Sequence, residues 1–161
     1  MVLKNELNFT APITRVEYQS GGAYSNAPFH LLEFRLCHTP LSTLTTNFQQ
    51  NYGGNTPTLV ASADPYLVTA GLDEWFGFNC SPVFNYNGHD NLICEVRWKN
   101  TTTETEVDTW AYDCGTDRGL SNKGYNAETG TVSSKINRFR ITFNDSAVGP
   151  ASLGRVKALF R

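Results

Sequence analysis

The chain has 161 residues, of which 40% are hydrophobic and only 17% are charged, and its formal net charge is −2. This length suits one domain that buries a core of its own. The slightly negative charge argues against a nucleic-acid partner, because nothing basic is available to hold a phosphate backbone. The longest apolar runs are too short for a membrane-spanning chain.

Threonine, asparagine, serine and glycine take the place of the missing charges. This composition is typical of a β-rich extracellular protein, whose strand faces and loops are polar without being ionic. The first residues contain no apolar segment of the kind found in a cleavable signal peptide. Two interpretations stay open, a cytosolic protein or a mature domain, and the composition favours an extracellular or cell-surface location.

In chain order, residues 1–11 contain a short apolar segment and are predicted to form an N-terminal arm or edge strand. Residues 12–143 are predicted to form one β-sandwich domain. Its early strands show apolar and polar side chains in alternation, as in residues 32–37, which is the pattern of a half-buried strand.

The segment 39–55 differs from its neighbours because it is rich in turn formers and has few apolar anchors. Its apolar side chains Leu41, Leu44 and Phe48 have roughly helical spacing, so one short helical turn is predicted here. Such a turn would cover an open end of the sheets.

The middle of the chain has the clearest strand pattern. Apolar side chains occupy every second position in residues 76–80 and again in 92–98. Between the two runs, Pro82 and the Asn-Gly pair at 87–88 are typical of a chain reversal. We therefore predict two strands whose apolar faces, including Trp98, point into the core.

A last alternating strand at 138–143 precedes a linker and a C-terminal apolar segment in residues 144–161. About nine short strands separated by turn signals predict an all-β fold, an antiparallel β-sandwich with at most one short helical turn. Long crossing loops alternate with tight hairpins, so a jelly-roll-like topology is preferred.

Four cysteines, Cys37, Cys80, Cys94 and Cys114, lie on or next to predicted strands. An even number is compatible with two disulfides formed in an oxidising compartment. Cys80 and Cys94 flank one loop and are the first predicted pair, and Cys37–Cys114 follows by elimination. Four buried free thiols are the alternative, and zinc is disfavoured because no Cys-x-x-Cys motif occurs.

The sequence shows no ordered set of catalytic groups. The Gly-x-Ser-x-Gly motif of serine hydrolases is absent. The acidic pair Asp73 and Glu74 and the acidic side chains of 104–108 could imitate the two carboxylates of a glycosidase. Those of 104–108 alternate along one strand and therefore indicate a solvated face. We predict that the protein is not an enzyme.

The loop before the strand at 92–98 is rich in oxygen-bearing side chains, and Asn85, Asn87 and Asp90 form a weak candidate calcium site. Asparagine and aspartate also cap the backbone of turns, and this interpretation is favoured. No cofactor is therefore expected, with calcium as the one alternative.

Three aromatic residues, Tyr24, Tyr52 and Trp75, are candidates for ligand binding. Tyr24 and Tyr52 lie in loops rich in glycine and asparagine and are predicted to be exposed, whereas Trp75 is predicted to point away from Phe76 and Phe78. Rings of this kind can stack on the faces of sugars. For any single aromatic residue, packing in the core is the alternative.

Five motifs stand out along the chain: Thr-Pro-Leu-Ser at 39–42, Asn-Phe-Gln-Gln-Asn-Tyr-Gly-Gly at 47–54, Trp-Phe-Gly-Phe at 75–78, Phe-Asn-Tyr-Asn-Gly-His-Asp-Asn-Leu at 84–92 and Arg-Phe-Arg-Ile-Thr-Phe at 138–143. In these motifs and their order the chain resembles accessory β-sandwich modules of large secreted bacterial surface proteins. The resemblance spans most of residues 12–143 and implies a jelly-roll-like, non-catalytic, exported domain, without assigning any binding residue.

These observations favour a non-catalytic extracellular module that binds a surface glycan or protein. The main alternative is a self-assembling structural subunit of an extracellular filament or sheath, in which a terminal segment completes the sheet of another copy. A glycan-active enzyme ranks third. The apolar residues that would serve such assembly are Leu7, Phe9, Val156, Leu159 and Phe160.

Overall fold

The computed structural model describes residues 1–7, 10–99 and 106–144. These residues form an all-β, sandwich-like fold of eleven antiparallel strands, which confirms the predicted fold class. The count exceeds nine because four of the strands have only three residues each, too few for alternation to be visible in the sequence. The strands are β1 (Pro12–Gln19), β2 (Tyr24–Thr39), β3 (Thr58–Ala63), β4 (Tyr66–Ala70), β5 (Trp75–Asn85), β6 (Asn91–Lys99), β7 (Ala111–Asp113), β8 (Gly119–Ser121), β9 (Thr131–Ser133), β10 (Lys135–Asn137) and β11 (Phe139–Phe143).

Two single helical turns accompany the strands in the described residues. The 3-10 turn Gln50–Tyr52 lies in the segment where one short turn is predicted. The second, α1 (Lys4–Leu7), lies in the segment predicted as an arm or edge strand. Its start is stabilised locally, because the Glu6 carboxylate accepts a hydrogen bond of 2.9 Å from the backbone N–H of Leu3.

One large sheet has three strands in the order β11–β1–β5. The middle strand, β1, places Tyr18 opposite Phe76 on one side and Phe139 on the other. Tyr18 faces the core, whereas Arg15 and Glu17 belong to the opposite face, as the two-residue period of a strand requires.

The other large sheet is built around β2, with β6 along one side and β3 followed by β4 along the other. Because β3 pairs with the second half of β2 and β4 with the first half, the two act as one long strand interrupted at residues 64–65. Opposite this interruption Leu31 has a φ of 46°, which residues with a side chain rarely adopt. The pairing of β2 with β6 shifts its register between His30 and Glu33.

The inner faces of the two large sheets meet in the main core. Phe34 of β2 stacks on Phe78 of β5, and Tyr66 of β4 contacts the same Phe78 ring. The fully buried members include Ile13, Val16, Phe34, Leu36, Val60 and Leu92. This contact between the sheets makes the fold a sandwich.

A smaller cluster covers the outer face of the sheet formed by β2 and β6. It contains Met1, Cys37, Tyr52 and Ile93. The N-terminal segment reaches this cluster because Val2 forms an isolated antiparallel bridge with Leu92 at the edge of β6. Residues 1–7 therefore lie along the sheet of their own chain in this structure.

Two small sheets complete the described part of the chain, one formed by β7 and β10 and one by β8 and β9. Arg118, which precedes β8, is buried and pairs with Glu6 at 2.8 Å, so this region is joined to the N-terminal segment. Within residues 1–7, 10–99 and 106–144, no helix has the length and apolarity needed to cross a membrane.

Candidate functional site

The outer face of the sheet β11–β1–β5 carries the group of polar and aromatic side chains that we take as the candidate binding site. Cross-strand pairing places Glu17 between Arg140 and Gly77, and Arg15 beside Asn79. We call this face the platform, and it comprises Arg15, Glu17, Gln19, Trp75, Gly77, Asn79, Arg138, Arg140 and Thr142.

Glu17 is the electrostatic centre of the platform. Its side chain is only 6% exposed, and its two carboxylate oxygens pair with Arg15 at 3.0 Å and with Arg140 at 2.5 Å. The hydrogen bond from Arg140 lowers the pKa of the Glu17 carboxyl below its ordinary value of 4.5, against the opposing effect of burial. Glu17 is therefore ionised at neutral pH and holds both guanidinium groups in place.

Trp75 lies at one end of the platform on the edge strand β5. The guanidinium carbon of Arg140 is 4.8 Å from the centroid of its indole ring, which is cation–π distance. The side chain of Trp75 is partly exposed. Its position beside Gln19 and Arg140 agrees with the prediction that it points away from Phe76 and Phe78.

Gly77 allows β5 to approach β1 closely beneath the platform. A Cβ atom at this position would lie 2.1 Å from the carbonyl oxygen of Val16 and 2.5 Å from the Cα of Glu17. No side chain can be accommodated there without moving a backbone. Between Trp75 and Asn79, β5 therefore contributes no side chain to the middle of the platform.

Tyr52 is buried, so the prediction of an exposed ring at this position is wrong. Only 3% of the residue is exposed. Its hydroxyl donates to the Glu95 carboxylate at 3.0 Å and accepts from Arg97 at 3.2 Å. Burial raises the pKa of Tyr52 to about 12. The ring anchors the segment 39–55 to β6, a long-range contact that the local sequence does not encode.

Tyr24 is partly buried and packs against the main core. Its hydroxyl accepts a hydrogen bond of 2.7 Å from the backbone N–H of Asp108. Of the three aromatic residues predicted to bind a ligand, only Trp75 belongs to the platform.

The predicted calcium ligands lie around a turn that uses their polar groups internally. The side-chain oxygen of Asn87 accepts from the backbone N–H groups of His89 and Asp90, and its amide donates to the Asp90 carboxylate at 2.8 Å. Asn85 is exposed at the end of β5. In the described residues no group of three or more His, Cys, Asp or Glu side chains could hold a metal ion.

All four cysteines are free thiols, which corrects the predicted disulfides Cys80–Cys94 and Cys37–Cys114. Cys37 lies in the outer cluster, whereas the Cys114 thiol donates to the Ser134 carbonyl at 2.9 Å. Cys80 and Cys94 lie in or against the main core, where burial raises their thiol pKa values to about 11 and 12. The cysteines therefore give no support to an oxidising compartment.

The acidic pair Asp73 and Glu74 has structural partners. The Asp73 carboxylate accepts from the indole N–H of Trp110 at 2.6 Å, and the Glu74 carboxylate accepts from the backbone N–H of Gly71 at 2.7 Å. Both carboxylates thereby stabilise the turn that leads into β5.

A cavity of about 360 Å³ lies near the end of β2, beside His38 and Phe84. The Nε2 atom of His38 accepts a hydrogen bond of 3.1 Å from the backbone N–H of Asn87, and burial lowers the pKa of the imidazole. The ring is therefore neutral at pH 7, and its Nε2 atom supports the turn that begins at Asn87.

Among the predicted assembly residues, Leu7 is buried in the main core of its own chain. Phe9, Val156, Leu159 and Phe160 lie outside the described residues. The proposed exchange of terminal segments stays a prediction.

Arg15, Glu17 and Arg140 are not among the site residues predicted from the sequence. Their alternation with apolar residues indicates a solvated strand face, so the sequence alone can predict that this face is polar. The sequence does not show that β1 pairs with both β5 and β11, which is the pairing that brings these residues next to Trp75. Comparison with known proteins gives no match, since no family model, curated protein or solved structure is significantly similar to this chain.

Proposed function

We propose that this chain is a non-catalytic module that binds surface glycans through the platform and acts in adhesion outside the cell. The observation that carries the proposal is the partly exposed ring of Trp75, held against Arg140 on an open sheet face. Planar hydrogen-bonding groups, the guanidinium of Arg15 and the carboxamide of Asn79, lie on the same face.

The chemistry of the platform suits a sugar. The C–H face of a pyranose ring packs on an aromatic ring, while its hydroxyl groups bond to planar polar groups fixed beside that ring. Arg15 donates to Asn79 at 2.6 Å and to Glu17 at 3.0 Å, so these groups are ordered before any ligand arrives. Such pre-organisation lowers the entropic cost of binding. An exposed sheet face fits a polymer better than a small molecule, which would need a concave pocket.

The extracellular location is part of the proposal. It is supported by the low content of charged residues and the abundance of threonine and asparagine. The resemblance to secreted bacterial surface modules points the same way.

The test is electrophoresis of the folded protein in gels that contain either hydroxyethyl cellulose or polygalacturonate. We expect at least one polymer to retard the protein and Trp75→Ala to abolish the retardation. Trp98→Ala is the matched control, because Trp98 is 42% exposed but lies on β6 in the other sheet. Equal retardation of the two variants, or no retardation of the parent protein by any polymer, would exclude the proposed function.

A second candidate function, self-assembly by exchange of the N-terminal segment, is favoured by a separate observation. Val2 and Leu92 form two reciprocal backbone hydrogen bonds of 2.8 and 2.9 Å, and Leu7 is buried in the main core. The same contacts would form if the segment came from another copy of the chain.

This second candidate is tested by measuring mass in solution at several concentrations. Assembly predicts larger species at high concentration and their loss when residues 1–11 are removed. The variant Val2→Pro is the point test, because proline cannot donate the hydrogen bond to Leu92. A mass that does not change with concentration would exclude it.

A further inference from the structure

We propose that the platform recognises the carboxylate groups of an acidic polysaccharide, a polyuronate in which successive sugars carry a negative charge. This inference rests on the proposed function and names its ligand class. The charges of the platform and the guanidinium nitrogens that bond to no other described residue support it.

The platform has the opposite charge to the whole molecule. It carries three arginines, Arg15, Arg138 and Arg140, against the single carboxylate of Glu17. The complete chain has a formal net charge of −2. An anionic polymer is therefore attracted to this face more than to the remaining surface.

The negative charge of Glu17 is directed inward. Its side chain is 6% exposed, whereas those of Arg15 and Arg140 are 34% and 33% exposed. A ligand thus meets the two guanidinium groups before it meets the carboxylate. The ion pairs fix both arginines, so a ligand need not order long flexible side chains.

Arg140 has the donors that a carboxylate requires. It bonds to Glu17 through Nε, and its terminal nitrogens make no hydrogen bond to the residues that the structure describes. A planar guanidinium can hold a carboxylate through two parallel N–H···O bonds. Because the same group lies over one face of the Trp75 ring, 4.8 Å from its centroid, one sugar could pack on the part of the indole that Arg140 leaves uncovered while its carboxylate binds Arg140.

Arg138 supplies a second guanidinium two positions away on the same face. Its backbone is fixed by hydrogen bonds to Gln19 and Trp110, whereas the one hydrogen bond of its exposed side chain to a described residue is a 3.5 Å contact with Gln19. Two positions along a strand correspond to about 7 Å. A polymer with a carboxylate on every sugar can therefore reach Arg138 and Arg140 together.

Two carboxylates lie at the margin of the platform, and both are already engaged. Asp73 accepts from Trp110, and Glu74 accepts from the backbone of Gly71. They immediately precede Trp75 in the sequence, so an anionic ligand is expected to extend from the indole across the platform towards Arg140 and away from them.

The experiment compares two forms of one polymer. Retardation of the protein is measured in gels that contain polygalacturonate or the same polymer after full methyl esterification, which removes the charge and keeps the backbone. We expect the acid form to bind at least tenfold more tightly and the difference to shrink as salt is raised.

Two variants locate the charge recognition. Arg138→Gln is expected to weaken binding to polygalacturonate about threefold to tenfold without affecting the fold. The double variant Glu17→Gln with Arg140→Gln removes the carboxylate together with one of its two guanidinium partners, leaves no unpaired carboxylate, and should weaken binding at least tenfold. Arg35→Gln is the matched control, since Arg35 forms a comparable ion pair with Glu33 in the other sheet.

The outcomes separate this inference from the proposed function. Two outcomes would overturn the charge inference: equal binding of the acid and the methyl ester, or binding of a neutral glucan but of no acidic polymer. If Trp75→Ala abolishes that binding, the glycan-binding function still stands. Equal binding of dextran sulfate and polygalacturonate would overturn the assignment to carboxylates. Binding of no polymer would overturn both proposals.

Discussion

The rings of Phe34 and Phe78 stack with their centroids 4.9 Å apart and an angle of 17° between their planes. The two residues come from different sheets, β2 and β5, and both are buried. This pair therefore joins the two layers of the sandwich at the centre of the main core.

Truncation of Phe78 should destabilise the fold strongly. Phe78→Ala leaves a cavity between the sheets and removes contacts to Phe34 and Tyr66. We expect a loss of about 3–5 kcal/mol in the free energy of unfolding, measured by urea denaturation. Leu67→Ala is the control, because Leu67 is exposed on β4. A loss of similar size in both variants would contradict the central role of the pair.

Gly77→Ala should destabilise the sheet beneath the platform. The added methyl group would lie 2.1 Å from the carbonyl oxygen of Val16, so β1 and β5 must move apart. We expect a loss of about 1–3 kcal/mol or more, measured by thermal or urea unfolding. At Gly21 a Cβ meets its nearest neighbours at an ordinary 3.4–3.5 Å, so Gly21→Ala should cost much less. If the two changes have equal effects, the close approach at Gly77 is not decisive.

Tyr52→Phe should loosen the segment 39–55 without affecting glycan binding. The change removes a hydroxyl that donates to the largely buried Glu95 carboxylate. A hydrogen bond to a charged group contributes about 1.5–3 kcal/mol, and we expect a loss in that range. Unfolding in urea measures this loss, and polymer retardation of the same variant checks the platform. Reduced retardation would restore Tyr52 as a ligand-binding residue.

The stability of the fold should fall as the pH decreases below about 6.5. Burial lowers the pKa of His38 from 6.5, so the unfolded chain takes up this proton at a higher pH than the folded chain. Stability from this group is complete above pH 6.5 and is lost as the pH falls towards the folded-state pKa.

The measurement is the unfolding midpoint between pH 7.5 and pH 5 for the parent chain and for His38→Gln. Glutamine can still accept the backbone hydrogen bond of Asn87 but does not titrate. We expect a shallower pH dependence in the variant. Identical curves would show that His38 contributes nothing to it.

The strand pattern of the sequence predicted the layers of this fold well. The alternating runs around Phe78 and Leu92 turn their apolar sides into the main core, as expected of half-buried strands. Trp98 follows the same alternation but is 42% exposed and contacts Phe29 edge-on. It lies near the end of β6, so local alternation alone overestimates its burial.

The candidate site was less predictable because it depends on distant pairing. Arg140 and Trp75 meet across β1, because this strand lies between β11 and β5 in the sheet. No local pattern in the sequence encodes that strand order. Tyr52 was misjudged for the same reason, since its partners Glu95 and Arg97 are more than 40 positions away. Sequence periodicity predicts which side of a strand is buried, whereas tertiary pairing decides which exposed groups meet.

The central position of β1 has a consequence for how the protein forms. Thr14 of β1 donates to a carbonyl of β11 that is 128 positions away, so the first strand is fully paired only when the last described one arrives. Chains dominated by such distant contacts fold in milliseconds to seconds. During synthesis, the edge of β1 that pairs with β11 therefore stays unpaired until residues near 143 have left the ribosome.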